Sequence, residues 1–587
     1  MPQTRIGLRQ HNIDLLLRFP LISGGTERAR FSVPSTSRGE PAGEGNYELW
    51  LHDWYKGSGS CRAVISHWVS GRYISYVRVI TGWWRYLMVA VAVLSGFPAR
   101  AQWLWPPQSM LNDPSSLNLQ VVRSWTEWVG TQQIQLWELR YNSWEFVNDQ
   151  MRTIPIQAYY AKPASLSYGA AVVLAHGLGG QADSGTAARF AAQHGVAAIY
   201  YSGPSNGQSG GRPFALPLLF DTLPDARGSW FWGHAVAGSR AITVLRTLPW
   251  TDPNRIGMLG YSAGAMATLN VNGFDNRLRC AVAVSGTGSL MRAAENGGWI
   301  NHLLHASGLW RGAAQFQTLC NTVDPIRQAP SQHAPVMLIN GAQDEFFPID
   351  STIETFNAFP NRHLHRLVII ANWDHGLFTA NLPAPYETFD NRNFANARID
   401  AATRFWIEHH LTSGSNFPNV PPIPTAIMQE YLGQAALGGE LATTYQVVEV
   451  HVYFSNDGSW LYGGQRMTDR NGNLWYKLWT GLPWNQFNPS NTVYFSEFRL
   501  RNTVIAPEFW LTSIPSLPPN FRPRIRPMPN PPSLQGDVNG DGCVNDADLL
   551  IVLFHFGNAG GQGDANGDGR IDDADLLIVL FMFGACR

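Results

Sequence analysis

Short apolar runs alternate with longer helix-type segments through the middle of the chain. The runs cover residues 171–175, 196–200, 255–259, 280–284, 335–341 and 367–370. Continuous apolar runs of this length are typical of strands buried on both faces. Segments with helical character follow at 233–248 and 394–411. This alternation predicts an α/β fold, with a doubly wound, mainly parallel sheet covered by helices on both faces.

A different pattern begins near residue 440. Apolar and polar residues alternate in 447–454, 474–479 and 492–498, and turn-forming residues separate these segments. Short alternating strands at such intervals predict a small antiparallel β-sandwich, which would either bind glycan or support the preceding domain. The proline-rich residues 515–532 then predict a semi-extended spacer.

An apolar segment near residue 90 has the features of a signal peptide. Arg85 precedes the apolar residues 87–94, and the small-residue motif Ala99-Arg100-Ala101 follows them. The apolar core is too short to span a bilayer. We therefore predict a signal peptide at 77–101, with translation starting near Val77 and a mature chain starting near Gln102. A membrane-anchored or uncleaved segment is the alternative. Residues 1–76 lack sustained periodicity and are interpreted as a doubtful leader.

Composition supports export and argues against a nucleic-acid partner. The net charge is −1, and 23 tryptophans and 38 prolines accompany only 14% charged residues. Of five cysteines, Cys61 lies in the doubtful leader. The other four permit two disulfides in three connectivities. Their positions favour Cys280 with Cys320 and Cys543 with Cys586, and buried free thiols are the alternative for the first pair. The predicted location is secreted, extracellular or at the cell surface.

The pentapeptide Gly260-Tyr261-Ser262-Ala263-Gly264 matches the pattern G-x-S-x-G. It follows the apolar run 255–259 and precedes the helix-forming residues 265–269, which is the strand–turn–helix context that a nucleophile elbow requires. Ser262 is therefore the candidate nucleophile. The amide of Ala263 is the first candidate oxyanion donor.

The run 171–175 ends in His176-Gly177-Leu178, a turn that predicts the second oxyanion donor at the amide of Leu178. We assign the side chain of His176 only a role in shaping the turn.

Asp344 and His375 each follow a predicted strand, so both are expected at the carboxyl edge of the sheet. Ser262, Asp344 and His375 occur in the order of a Ser-Asp-His triad. In such a triad a neutral imidazole takes the proton of the serine, and a carboxylate orients the imidazole. Glu345 and Asp374 are the alternative acids, and His363 and His365 are the alternative bases.

Residues from about 125 to 412 resemble the α/β-hydrolase superfamily. The matching motifs are His176-Gly177, the loop 202–211, the segment 252–257 before the elbow, and 338–341 with Asp344. They are most similar to the acetylxylan-esterase, dienelactone-hydrolase and prolyl-oligopeptidase-like branch. The resemblance implies a serine esterase with an acyl-enzyme, acting on ester or glycan-ester substrates and needing no catalytic cofactor. The alternatives are a prolyl-oligopeptidase-type peptidase and a non-catalytic adhesion protein with a hydrolase fold. Residues 290–326 are a candidate lid, with core packing as the alternative.

A duplicated acidic loop closes the sequence. The pattern that begins at Asp537 begins again at Asp564, with EF-hand-type spacing and a glycine at the sixth position. The candidate Ca²⁺-binding positions are Asp537, Asn539, Asp541, Cys543, Asn545 and Asp548, and Asp564, Asn566, Asp568, Arg570, Asp572 and Asp575. One apolar helix follows each loop. This duplicated loop–helix arrangement resembles a dockerin domain, which implies structural Ca²⁺ and a cohesin-like protein partner.

At 587 residues the chain is too long for one core, so several domains are expected. The predicted layout is a doubtful leader at 1–76, a signal peptide at 77–101, an α/β-hydrolase domain at 102–412, a β-sandwich at 413–512, a proline-rich linker at 513–535 and a dockerin-like α-helical module at 536–587.

Overall fold

The computed structural model describes residues 103–376, 391–412, 416–456, 463–486, 491–525, 536–539, 543–559, 561–565 and 570–585, and the backbone of strands before residue 81. The chain divides into two compact units, Met1–Gln102 and Trp103–Arg587. No helix in the described residues is both long and apolar enough to cross a membrane.

The first unit contains antiparallel strand pairs within the residues that the sequence led us to interpret as a doubtful leader. Each strand pairs with its neighbour in the chain, as β1 with β2, β3 with β4 and β5 with β6. The strands are β1 (Ile6–Gln10), β2 (Ile13–Leu17), β3 (Glu27–Phe31), β4 (Tyr47–Leu51), β5 (Cys61–Val69) and β6 (Arg72–Ile80). Residues 81–101, most of the predicted signal peptide, lie outside the described residues.

A nine-stranded sheet forms the centre of the described part of the second unit, in the order β15-β14-β13-β12-β10-β11-β9-β8-β7. Its strands are β7 (Gln120–Val129), β8 (Gln132–Val147), β9 (Gln150–Pro163), β10 (Gly169–Ala175), β11 (Ala197–Tyr201), β12 (Thr251–Tyr261), β13 (Cys280–Val284), β14 (Val336–Gly341) and β15 (Arg366–Ile370). The strands from β10 to β15 pair in parallel, which confirms the predicted α/β fold. The sequence did not predict the antiparallel extension formed by β7, β8 and β9.

Helices cover both faces of this sheet. They are α1 (Gln108–Leu111), α2 (Ser184–His194), α3 (Trp230–Thr247), α4 (Ala263–Phe274), α5 (Leu290–Glu295), α6 (Ile300–His305), α7 (Ala314–Thr322), α8 (Ile349–Asn357) and α9 (Asn391–Leu411). Side chains of β10 point alternately to the two faces, as the pleat of a strand requires. Val172 and Leu174 join one core with α9, and Ala171 and Val173 join another with α3.

Two four-stranded antiparallel sheets follow in the described residues after α9, in the orders β16-β17-β21-β20 and β19-β18-β22-β23. The strands are β16 (Thr425–Tyr431), β17 (Gln434–Glu440), β18 (Gln446–Ser455), β19 (Gly463–Arg466), β20 (Asp469–Asn471), β21 (Leu474–Pro483), β22 (Val493–Arg501) and β23 (Phe509–Thr512). Their core is continuous with that of the larger sheet, because Phe405 of α9 stacks on Phe509 of β23 with ring centroids 4.1 Å apart.

The predicted linker is ordered along its first part. Ile514, Leu517 and Phe521 pack against the hydrophobic cluster beneath α8, and the side chain of Arg522 donates to Asn296. Residues 526–535 lie outside the described residues.

The C-terminal region contains α10 (Asp546–His555) and α11 (Asp573–Met582). Each helix begins with a capping box, formed by Asn545 with Asp548 and by Asp572 with Asp575. Their small apolar core includes Val552 and Val579.

One of the predicted disulfides is wrong. Cys280 and Cys320 are free, buried thiols. The physical reason is that they face different hydrophobic clusters, Cys280 under α9 and Cys320 among α5, α6 and α7. Burial raises the pKa of Cys280 to about 12. Cys543 is disulfide-bonded, and Cys586, its predicted partner, lies outside the described residues.

Candidate active site

The candidate site lies at the point where the order of the strands in the sheet reverses. From β10 the chain proceeds to β11 on one side, and it then returns to place β12 on the other side of β10. The loops that leave the carboxyl ends of β10 and β12 therefore diverge and leave a crevice between them. His176 and Ser262 begin these two loops, so the topology itself brings the two predicted motifs together.

Ser262 occupies a sharp turn between β12 and α4. Its φ of 54° and ψ of −119° lie outside the ordinary regions for a non-glycine residue, so the surrounding fold must hold it there. Gly264 is essential to this geometry, because a Cβ atom at that position would lie 2.2 Å from the carbonyl oxygen of Ala175. A second contact fixes the turn from β13, since the amide of Ser262 donates to the carbonyl oxygen of Val284 at 2.9 Å.

The structure brings the three predicted triad residues into one hydrogen-bonded chain. Nε2 of His375 lies 2.9 Å from Oγ of Ser262. Nδ1 of the same ring lies 2.9 and 3.0 Å from the two carboxylate oxygens of Asp344. The carboxylate therefore holds the tautomer with a proton on Nδ1 and leaves Nε2 free to accept the serine proton.

Asp344 is itself held in place. Its side chain is fully buried, and its Oδ1 accepts the backbone amides of Phe346 and Phe347 at 2.9 and 2.8 Å. These two amide donors hold the buried carboxylate of Asp344 in place beside the imidazole.

The neighbouring carboxylate, Glu345, contacts the same histidine by a different route. It is also fully buried, and its Oε2 accepts the backbone amide of His375 at 3.0 Å. Asp374, the other alternative acid, accepts the amide of Gly376 at 2.7 Å and so shapes the turn. The ring of His375 thus faces Asp344, while its backbone is anchored to Glu345. Sequence reasoning considered Glu345 only as an alternative acid and missed this second contact.

Two opposing effects set the pKa of His375. Burial lowers the pKa, but the charge of Asp344 and its hydrogen bond raise it, helped by Glu345 and Asp374. The net pKa of His375 is raised above its ordinary value of 6.5. The imidazolium that forms when the ring accepts a proton is therefore stabilised by this site.

The other histidines near the motif are structural. His176 donates from Nδ1 to the carbonyl oxygen of Gly177 and accepts the amide of Gly203 on Nε2, and burial lowers its pKa to about 4. His365 accepts the amide of Val336 at the opposite end of β15 from His375. Neither ring contacts Ser262.

The two candidate oxyanion donors flank Ser262. Ala263 is the first residue of α4, and the first amides of a helix have no partner within the helix. Leu178 follows Gly177, where a Cβ atom would lie 3.2 Å from the Cβ of Ser262. The turn after β10 therefore packs directly against the elbow.

Aromatic side chains border the triad. The ring centroid of Phe346 lies 4.8 Å from that of His375, and Trp299 packs edge-on against Phe346 at 5.6 Å. Trp299 belongs to the candidate lid at 290–326, but it is 1% exposed. It therefore forms part of the core that supports the rim rather than an open wall of the site.

The acidic loops at the C-terminus show the same arrangement in both repeats. Asp548 is fully buried, and its oxygens accept the amides of Val538, Asn539 and Asn545. Asp575 is equally buried and accepts the amides of Ala565 and Asp572. Each closing aspartate therefore ties its helix to the start of its own loop.

Calcium prefers oxygen ligands, which these loops supply. The side chains of Asp537, Asn539 and Asp564 carry such oxygens, whereas Cys543 and Arg570 could contribute only backbone carbonyls. Asp541, Asn566 and Asp568 lie outside the described residues. Among the residues that are described, no group of three or more His, Cys, Asp or Glu side chains could hold a metal ion.

Comparison with curated proteins and solved structures gives several matches. The Escherichia coli (strain K12) protein YcjY is 31% identical over 169 residues, which are 28% of this chain and 50% of that protein, so the chain spans half of this relative's length. The acetyl xylan esterase from Paenibacillus sp. R4 has a TM-score of 0.38 and 17% identity, covering 49% of this chain and 91% of that one. Acetyl xylan esterase 1 from Thermoanaerobacterium sp. JW/SL YS485 has a TM-score of 0.38 and 15% identity, with coverages of 51% and 95%.

Family models match two separate regions. Residues 239–399, which include the elbow, Asp344 and His375, match the prolyl oligopeptidase family, and residues 535–580 match the dockerin type I domain. Together with the observed sheet, these regional matches show an α/β-hydrolase fold whose residues 239–399 match the prolyl oligopeptidase family, and a dockerin type I region at 535–580.

Proposed function

We propose that this protein is a secreted serine esterase that removes acyl groups, acetyl groups among them, from polysaccharide. The observation that carries the esterase proposal is the continuous hydrogen-bonded chain from Oγ of Ser262 through His375 to Asp344. The dockerin type I region favours polysaccharide as the substrate, by analogy with enzymes docked on carbohydrate-degrading assemblies.

The reaction proceeds through an acyl-enzyme. Oγ of Ser262 attacks the ester carbonyl carbon while Nε2 of His375 takes its proton, and Asp344 stabilises the imidazolium. The amides of Ala263 and Leu178 donate to the oxyanion of the tetrahedral intermediate. Collapse of this intermediate expels the alcohol, which receives the proton from His375. A water molecule, activated by the same imidazole, then releases the acid and regenerates Ser262.

The first test is replacement of the nucleophile. Ser262→Ala should abolish labelling by a fluorophosphonate probe and lower kcat for p-nitrophenyl acetate by several orders of magnitude, roughly 10⁶-fold. Ser307→Ala is a matched control, because its hydroxyl only donates to the carbonyl oxygen of Leu303. Near-normal turnover by the Ser262→Ala protein would exclude the proposed mechanism and favour the non-catalytic alternative.

A substrate panel separates the remaining enzyme classes. Acetylated xylan, a feruloyl ester and a proline-containing peptide should be offered to the wild-type protein. We expect turnover of a polysaccharide ester. Cleavage of the peptide alone would replace the esterase proposal with the peptidase alternative.

We further propose that the dockerin region binds structural Ca²⁺ and a cohesin-type partner outside the cell. Asp537, Asn539, Asp541, Asn545 and their counterparts in the second loop would hold the ion, and Asp548 and Asp575 would close the loops.

Large apolar side chains are exposed on both helices, including Leu550 and Phe554 on α10 and Leu577 and Phe581 on α11. Exposed apolar side chains in matching positions favour a protein partner. Calcium-dependent capture of the full chain by immobilised cohesin domains tests this proposal, and failure of every cohesin in the panel contradicts it.

A further inference from the structure

Two buried histidines lie beneath the turn that carries the candidate oxyanion donor Leu178. His176 begins that turn, and His234 belongs to α3, 58 residues further along the chain. Their ring centroids are 4.8 Å apart, and the ring of His234 stacks on Trp230 at 4.6 Å. The side chains of His176 and His234 are 3% and 0% exposed. We call these two residues the histidine pair.

The hydrogen bonds of the histidine pair define a neutral tautomer for each ring. Nδ1 of His176 donates to the carbonyl oxygen of Gly177 at 2.7 Å, and its Nε2 accepts the amide of Gly203 at 2.8 Å. Nε2 of His234 donates to the carbonyl oxygen of His176 at 3.2 Å. Burial lowers the pKa of both rings, to about 4 for His176 and well below 6.5 for His234. Both rings are therefore neutral at any pH at which His375 can act as a base.

Two consecutive carbonyl groups of the turn are held by these imidazole N–H groups. In a planar trans peptide unit the C=O and N–H bonds point in opposite directions. The hydrogen bond from the ring of His176 to the carbonyl of Gly177 therefore sets the direction of the Leu178 amide. The hydrogen bond from His234 sets the direction of the preceding peptide unit in the same way.

The turn held by the histidine pair lies against the nucleophile elbow. A Cβ atom at Gly264 would lie 2.7 Å from the carbonyl oxygen of His176, and one at Gly177 would lie 3.2 Å from the Cβ of Ser262. The carbonyl that His234 binds is therefore in contact with the elbow. Because a misplacement of about 1 Å in an active site can cost about 10²-fold in rate, a small movement of this turn would weaken an oxyanion hole.

We propose that His234 is a positioning residue for the oxyanion hole, which acts through the carbonyl of His176 and aims the amide of Leu178 at the oxyanion. This proposal rests on the serine-hydrolase mechanism above. It extends that mechanism to a residue of α3 that acts through the backbone, and it gives the ring of His176 a consequence for catalysis beyond the shape of the turn.

Replacement of His234 separates its hydrogen bond from its packing. His234→Phe keeps a ring that can stack on Trp230 but removes the donor. We expect kcat for p-nitrophenyl acetate to fall about 10–10²-fold, while KM changes by less than about threefold. His234→Gln is the conservative variant, because its amide nitrogen can take the place of Nε2, and it should retain more of kcat than His234→Phe.

His365→Phe is the matched control. His365 is also buried, and its Nε2 donates to a backbone carbonyl oxygen, that of Pro360, at 2.9 Å. Its replacement should lower the Tm without lowering kcat, since it lies at the opposite end of β15 from His375.

An analogue of the tetrahedral intermediate reports on the oxyanion hole directly. With trifluoroacetone, Oγ of Ser262 bonds to the carbonyl carbon, the carbonyl electron pair moves to the oxygen, and the serine proton passes to His375. The inhibition constant should rise in His234→Phe by about the same factor as kcat falls, because both depend on the same oxyanion donors. It should not change in His365→Phe.

The Tm of every variant is measured to exclude unfolding. Should His234→Phe fail to fold, Gly203→Ala supplies the test, because its Cβ would lie 2.6 Å from Nδ1 of His234 and would displace a ring that is still present. Unchanged kcat and inhibition constant in the folded variants, or an equal loss of kcat in His365→Phe, would overturn the positioning role. A wild-type protein that neither hydrolyses the ester nor reacts with the fluorophosphonate probe would contradict the serine-hydrolase function itself.

Discussion

At the scale of single residues, two adjacent carboxylates hold one histidine from two directions. Asp344 binds the ring of His375, and Glu345 binds its backbone amide. Both carboxylates are fully buried, so neither is screened by solvent. The ring is therefore oriented by one residue, and the position of its Cα is set by the other.

The raised pKa of His375 predicts the acid limb of the pH profile. The base must be neutral to take the proton of Ser262, so activity is lost as the pH falls through this pKa. Because the pKa is raised, the midpoint in kcat/KM should lie above 6.5. Asp344→Asn removes the main cause that raises the pKa, whereas burial still lowers it. We expect the limb to move to lower pH and kcat to fall about 10⁴-fold. An unshifted limb would show that another group controls it.

Glu345 should act as a positioning residue. Glu345→Gln retains an oxygen that can accept the amide of His375, so we expect a modest loss of kcat and a lower pH for the acid limb. Glu345→Leu removes the acceptor and should lower kcat about 10²-fold through misplacement of the ring. Glu354→Gln is the control, because the carboxylate of Glu354 accepts the hydroxyl of Ser289 and not His375. A larger loss with Glu345→Gln than with Asp344→Asn would reverse the two roles.

At the scale of elements, the β-sandwich is attached to the hydrolase by buried contacts. Arg398 of α9 binds Glu497 of β22, and their side chains are 9% and 2% exposed. The backbone amide of Ile369 in β15 donates to the hydroxyl of Thr512 in β23 at 3.0 Å. An extensive shared core of this kind predicts that the two parts unfold together.

Removing one partner of the buried ion pair should destabilise the protein strongly. Glu497→Ala leaves the Arg398 guanidinium buried without its carboxylate, so the free energy of unfolding should fall by about 3–5 kcal/mol. Arg404→Ala is the control, since Arg404 and Glu408 form a partly exposed pair at 3.8 Å. That change should cost under about 1 kcal/mol. Equal losses of stability in urea denaturation would contradict the structural role of the buried pair.

At the scale of the whole described unit, the dockerin region packs on the hydrolase. Trp310, from the loop between α6 and α7, contacts the small core formed by α10 and α11. That core contains few large side chains, so metal binding should contribute much of its folding free energy. The contact at Trp310 joins the dockerin region to the candidate lid. The sequence had predicted instead that a proline-rich spacer separates the dockerin region from the rest of the chain.

Chelation should therefore unfold the C-terminal region selectively. With EGTA, the calorimetric scan of the full chain should lose one thermal unfolding transition, or that transition should move to a lower temperature. Added Ca²⁺ should restore it. The transition of the hydrolase should change little. Asp541→Ala combined with Asp568→Ala should reproduce the effect of EGTA, and Ser307→Ala should not. A scan that is identical with and without Ca²⁺ would remove the case for structural calcium.

The sequence by itself determined the buried strands of the α/β region and the chain order of Ser262, Asp344 and His375. These features are readable because they depend on local chemistry, namely apolar strands followed by turns with particular residues. The same holds for the duplicated loops that open at Asp537 and Asp564. Their catalytic and metal-binding roles stay predictions.

Only the tertiary structure determined which of two neighbouring candidate residues contacts the histidine ring and which contacts its backbone. Asp344 and Glu345 are adjacent in sequence, and the turn after β14 alone determines which carboxylate meets the ring. The free thiols of Cys280 and Cys320, the antiparallel strands β7–β9 and the core shared with the β-sandwich are likewise long-range outcomes. They arise from packing between segments far apart in the chain, and local periodicity carries no information about such contacts.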